Sequence, residues 1–281
     1  MIYRNTYRNL HRGPGSYYWP LLRLKSVRIL TRIIIISNLF ALSRGQTGED
    51  PNNSPIHVLS TIEKYSPTLT DNVSFNPAWV KDLKLVLPCK DIPVPKRGAR
   101  LPNAPRDYRS GTHRGIDFFA NWGTPIRAVA DGKVVRADRG FEEVPAQFRE
   151  ELLHVSAEIG HTPSDIFNSV LLGRAVFVDH GLDLIKGFRV ITIYAHLSSI
   201  NDSIKPGTML KRGELMGFSG NTGTKDSALG TKAGAHLHWE MILQKNNQEI
   251  FLGKGMGYEK LYNLLTELFL NEQTPINKKG G

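Results

Sequence analysis

The short apolar run at 175–179 (AVFVD) and the period of two at 190–196 (VITIYAH) are the clearest predictors of β-strands along the chain. Residues 116–136 (IDFFANWGTPIRAVADGKVVR) and 204–220 (IKPGTMLKRGELMGFSG) have a related texture. Each holds a Gly-Thr turn, a short apolar run and a further glycine, with Ile126, Val129 and Val134 as apolar pins in the first. Short strands broken this often predict a mainly β fold, a small, tightly curled antiparallel sheet of barrel or sandwich type. The stretch 79–87 (WVKDLKLVL) also alternates and is expected to supply the first strand.

Two segments depart from that period. In 141–172, Phe148, Leu152, Val155 and Ile159 recur at helical spacing, and Thr162-Pro163-Ser164-Asp165 marks a fresh start, which predicts a helical insertion between two strands. Near the end of the chain, Tyr258, Leu261, Tyr262, Leu265, Leu268 and Phe269 form one apolar stripe. A C-terminal helix within 257–281 is expected to cover the sheet with it.

The N-terminal stretch is of another kind. Arg4, Arg8, Arg12, Arg23, Lys25, Arg28 and Arg32 occur there without an Asp or Glu, followed by the apolar run 33–42 (IIIISNLFAL) and by Ala41 and Ser43 at small-x-small spacing. The run is about half the roughly 20 residues a membrane-spanning helix needs. A cleaved export signal over 1–43 is therefore expected, with a membrane anchor as the alternative. Residues 44–77, rich in Pro, Asn, Ser and Thr, read as a linker or propeptide ahead of a main domain at 78–256. The net charge of +10 suits a polyanionic surface, but no basic module interleaved with aromatics appears, so nucleic acid is not expected as a partner. The single cysteine, Cys89, excludes a disulfide framework and a Cys-based metal site.

The candidate chemistry is concentrated in three short segments. GTHRGID holds His113 and Asp117 four residues apart, YAHLS holds His196, and AHLHWE holds His236 and His238. On a strand, His236 and His238 project to one face while Leu237 and Trp239 enter the core. The same alternation places His196 beside Tyr194 and Thr192. Gly111 and Gly115 allow the first segment to curl its two donors toward one point. Imidazole nitrogens with one carboxylate oxygen suit Zn²⁺, and three such ligands leave a fourth position for water. His11, His57, His154, His161 and His180 have no such company, and Tyr108, which could assist an oxyanion, is expected at the surface.

The set THRGID, TIYAHLSSI, PGTMLKRGELMGFSGNTG and HLHWE, in this order, resembles the lysostaphin- and LytM-type zinc endopeptidases. The resemblance covers residues 105–241. It implies that His113, Asp117 and His238 hold one zinc ion and that His196 and His236 are catalytic histidines outside the ligand set. It also implies a small antiparallel β metallopeptidase domain, peptidoglycan peptides as substrate, and a secreted, periplasmic or envelope location. A monomer is expected, touching membrane only through an uncleaved leader. The insertion at 141–172 and the long loop NTGTKDSALGTKAGAHLH depart from the family pattern, so substrate preference is left open. The alternative reading is a non-catalytic wall-binding or amidase-regulating module of the same fold, which would ordinarily have lost some of these five side chains. A lipoyl-carrier-like domain leaves the histidines unexplained, and an iron oxygenase triad leaves two of them over.

Overall fold

The computed structural model describes residues 74–269, all within the compact unit Asn52–Gly281. The leader expected over 1–43 and residues 44–73 of the linker expected over 44–77 lie outside these residues. The strands are β1 (Pro105–Arg106), β2 (Gly111–Thr112), β3 (Ile116–Phe118), β4 (Pro125–Arg127), β5 (Gly132–Ala137) and β6 (Val176–Asp179). They continue with β7 (Arg189–Ala195), β8 (Leu197–Ile200), β9 (Met209–Leu210), β10 (Leu215–Ser219), β11 (Leu237–Lys245) and β12 (Gln248–Phe251). Every strand pair among the described residues is antiparallel. The main sheet runs β12-β11-β7-β6-β5-β9, and a smaller one runs β4-β10-β8. β3 lies on the same edge of β11 as β12, further toward the start of the strand.

β11 is the longest strand and the centre of the architecture. Leu237, Trp239, Met241 and Leu243 enter the main core from one face, whereas Ile242 joins a smaller apolar cluster with Ile193, Ala195 and Phe251 on the other. The main core is closed by helix α4 (Tyr258–Phe269), which follows α1 (Ala146–Glu158), α2 (Ser164–Ile166) and α3 (Lys225–Ala228) in the chain. Leu261, Leu265, Leu268 and Phe269 are its buried residues, with the Phe269 ring 5.5 Å from Trp239 and 5.9 Å from Phe118. The mainly β architecture with a helical insertion and a C-terminal helix is therefore as the residue periods led one to expect.

Two local expectations need correction. Residues 79–87 do not form a strand. Asn76 caps a short 3-10 turn at Pro77–Val80, and the following extended chain sends Leu85 N–H to Leu268 O and Val86 N–H to Val129 O. Burial produces the alternation there, but the hydrogen bonds go to different elements, so no ladder forms. Phe75 is buried in the same core, and its N–H donates to Lys254 O at 3.0 Å. In α1 the buried residues are Arg149, Leu153 and Ser156, one position after the expected stripe, and Ile159 is exposed. The inward face of this helix is partly polar because it meets backbone of the site loop, as described below.

Candidate metal centre

β3 and β11 bring two of the candidate ligands together by register alone. Asp117 and His238 are direct cross-strand partners, flanked by Phe118 with Leu237 and Ile116 with Trp239. Residues directly opposite in an antiparallel pair share a face, so both side chains leave the sheet on the side away from Trp239. His113 arrives from the turn between β2 and β3, with its own N–H bonded to Ala104 O. The chain must pass close to β11 there. A Cβ on Gly115 would lie 2.5 Å from Trp239 O and 2.9 Å from His238 Cε1, so glycine is required.

The donor atoms converge tightly. His113 Nε2 lies 2.9 Å from Asp117 Oδ1, His238 Nδ1 lies 2.8 Å from the same oxygen, and the two nitrogens are 3.1 Å apart. The opposite ring nitrogens fix the tautomers. His113 Nδ1 donates to Leu101 O at 2.9 Å, and His238 Nε2 donates to Glu240 Oε1 at 2.8 Å. Both rings thus turn a lone pair toward Asp117, an arrangement of three acceptors that needs a cation or a proton among them. A tetrahedral zinc ion with bonds of about 2.0–2.1 Å keeps its ligand atoms about 3.3 Å apart, close to these separations. The residues fit the ion, and backbone and carboxylate partners behind the imidazoles are what a metal site needs to orient its ligands.

The electrostatics agree with the geometry. Burial works to raise the Asp117 carboxyl, but the adjoining His113 and His238 hold it well below the usual range. Arg106 lies 3.5 Å from its other oxygen. Burial opposes charge on His238, yet hydrogen bonds to Asp117 and Glu240 lift the ring to about 9. Glu240 is fully buried, and burial would raise it; the Arg114 guanidinium 3.1 Å away and His238 bring it down to about 2. Burial first, and then the neighbouring His238 and Arg106, push His113 below its ordinary value in spite of Asp117.

His196 and His236 stand beside this cluster. Their ring centroids are 4.7 Å apart, and the His196 ring is 5.6 Å from that of His238. His236 Nε2 is 3.7 Å from Asp117 Oδ1, and its Nδ1 donates to Gly234 O at 2.7 Å. His196 Nδ1 donates to Thr222 O, also at 2.7 Å. Burial first, and then the neighbouring imidazoles, hold His196 well below its ordinary pKa, and burial lowers His236. Each ring is therefore neutral near pH 7, with a proton on Nδ1 and an open lone pair on Nε2.

The route by which His196 reaches the site differs from the expected one. Tyr194 and Thr192 face the main core, where the Tyr194 hydroxyl accepts from Val129 N–H, and strict alternation would send His196 with them, away from His238. His196 instead has φ of 61°, in the left-handed region that non-glycine residues seldom occupy, and this inverts its side chain toward the site.

All five candidate residues come together. Tyr108, 58% exposed, lies outside the cluster, and His154 pairs with Glu158 on the surface. His180 is a buried core histidine bonded to Asp131 O and Thr192 Oγ1. Cys89 is a buried thiol that desolvation pushes up to about 12. Sequence reasoning missed Glu240, although it stands two residues after His238 on the same strand face. A carboxylate in phase with a ligand histidine, between Trp239 and Met241 that both enter the core, was the available signal.

Two imidazoles and one carboxylate presented together on an antiparallel β scaffold make a candidate metal centre. The family model described as Peptidase family M23 matches residues 164–252. Over that stretch the chain is similar to the lysostaphin/LytM-type members of a family of metallo-endopeptidases. The glycyl-glycine endopeptidase ALE-1 of Staphylococcus capitis is 29% identical over 147 residues, 52% of this chain and 29% of the relative. The peptidoglycan DD-endopeptidase ShyA of Vibrio cholerae is 29% identical over 140 residues, 50% of this chain and 22% of the relative. The chain thus spans less than a third of the length of these curated relatives. Among solved structures, the catalytic domain of the antimicrobial peptidase lysostaphin from Staphylococcus simulans is 22% identical, covering 66% of this chain and 97% of that one at a TM-score of 0.32.

Proposed function

We propose that the chain is a zinc-dependent endopeptidase that hydrolyses peptide bonds in bacterial peptidoglycan. The observation that carries this reading is the meeting of His113 Nε2, Asp117 Oδ1 and His238 Nδ1, with two neutral imidazoles alongside. His113, Asp117 and His238 hold one zinc ion. When bound, the ion supplies Lewis-acid polarisation of the scissile carbonyl and a water that ionises near neutral pH. His196 and His236 handle the protons. With Nδ1 engaged by a backbone carbonyl, each offers Nε2 to accept a proton from the attacking water and, once protonated, to donate to the developing oxyanion or the leaving amine. Leu101 O and Glu240 keep the ligand rings in the tautomers that turn lone pairs inward.

The export signal over 1–43, the linker or propeptide over 44–77 and a monomeric enzyme at the cell envelope complete this reading. The relatives whose names specify glycyl-glycine and peptidoglycan bonds support the substrate class. The test is incubation of the zinc-loaded protein with purified peptidoglycan, followed by mass analysis of released peptides. New amino termini that vanish with a chelator are expected. Binding to the wall without cleavage, with zinc present, would replace this reading by the non-catalytic module.

A further inference from the structure

The insertion at 141–172 takes no part in the chemistry just set out, yet it sends a carboxylate into the site loop. Glu143 Oε1 accepts from Gly223 N–H at 2.8 Å and from Ser227 Oγ at 2.6 Å. The Gly223 N–H and the Thr222 carbonyl are the two ends of one peptide group. That carbonyl is the acceptor for His196 Nδ1–H at 2.7 Å. A carboxylate, a single peptide unit and an imidazole are therefore joined in series by two hydrogen bonds. Negative charge at the N–H end of a peptide group drives electron density toward its oxygen, so the second bond is strengthened by the first.

Other contacts hold the two residues that share this peptide group. Arg149, on the inward face of α1, donates from Nε to Gly223 O at 3.2 Å. The far end of the insertion abuts the loop, backbone against backbone. A Cβ on Gly223, where φ is +77°, would lie 2.5 Å from Gly173 N and 2.7 Å from Leu171 O. Thr222 itself is pinned through its hydroxyl, which donates to Leu197 O at 3.0 Å and accepts from Arg174 N–H at 2.8 Å. The insertion thus grips Gly223, the neighbour of the residue whose carbonyl fixes the His196 ring.

We propose that Glu143 is a positioning residue for His196. Acting through the Thr222–Gly223 peptide group, it keeps the imidazole proton on Nδ1 and leaves Nε2 as the free acceptor. Either nitrogen of a neutral imidazole can carry the proton, and the partner at one decides what the other can do. The functional weight of this relay rests on the catalytic role proposed for His196, but the tautomer is a property of the resting protein and can be read without substrate.

The experiment uses the full chain, labelled with ¹⁵N in its histidine rings, as wild type, Glu143→Gln and Glu143→Ala. His196→Gln identifies the His196 resonances. Glu143→Gln keeps an acceptor of the same shape and removes the charge, so it carries the test if Glu143→Ala does not fold. In the wild type, His196 is expected as the Nδ1–H form. In Glu143→Ala its two nitrogen shifts should move toward each other as tautomers mix, with Glu143→Gln displaced in the same direction by less. On peptidoglycan, kcat in Glu143→Ala should fall about tenfold, the scale of losses from supporting partners, with KM within about twofold and zinc content unchanged. Unmoved His196 shifts in both variants overturn the proposal, and so does a lowered melting temperature with those shifts unmoved. A wild type that cleaves no peptidoglycan would remove the proposed function, while the nitrogen shifts would still decide the relay.

Discussion

His238 and Glu240 stand two residues apart on one face of β11, joined by a hydrogen bond of 2.8 Å from Nε2 to Oε1. This contact determines which nitrogen of His238 faces Asp117. Glu240→Gln should therefore weaken zinc binding by about 10–100-fold while the fold persists, as measured by competition with a chromophoric chelator. Equal zinc affinity in the variant would remove Glu240 from the support of the ligand.

Substitution should separate the histidines by role. His238→Ala is expected to abolish turnover and most metal binding, whereas His196→Ala abolishes turnover and retains zinc. Metal content by elemental analysis, set beside peptidoglycan cleavage, checks both. Loss of zinc in His196→Ala to the same degree would mean that the roles are wrongly divided.

Metal binding should expel a proton. In the metal-free protein the His238 ring is lifted to about 9, above its ordinary value, so it is protonated at pH 7 and zinc must displace that proton. Calorimetric titration at pH 7 in two buffers of different ionisation enthalpy should report release of about one proton. Apparent affinity should drop about tenfold for each pH unit below 9 that this group alone controls. The same shift acts on the stability of the metal-free protein with the opposite sign. A folded-state pKa above the unfolded one contributes stability that is whole below about 6.5 and lost as pH rises through about 9.

The C-terminal helix is part of the core that backs the site. Leu265 is fully buried in it, and Leu265→Ala should cost about 2–5 kcal/mol by denaturant titration, through lost transfer energy and the cavity left behind. A loss under about 0.5 kcal/mol, the scale of surface substitutions, would mean that the helix does not pack as described.

Much of this was legible in the residues because local rules were obeyed. HLHWE alternates as a strand should, so both the buried Leu237 and Trp239 and the outward His238 followed from a period of two. The stripe of α4 followed from a period of 3.6 in the same way. Where readings failed, long-range contacts outweighed pattern. Leu83, Leu85 and Leu87 alternate, yet their backbone has no single neighbouring strand to pair with. The phase of α1 slipped by one residue because Arg149, which the apolar pattern excluded, turns inward to bond the Gly223 carbonyl. His196 reaches the site through an inverted backbone that no side-chain pattern announces.

That inversion also marks a seam. β7 ends at Ala195 in the larger sheet and β8 begins at Leu197 in the smaller one, so a lone residue, His196, connects the two. Its imidazole is in effect a gauge of their alignment. Shear between the sheets, from heating, a distant core substitution or a bound wall fragment, would turn that ring before it disturbed the three donors, which hang from β11, from β3 beside it and from the turn that leads into β3.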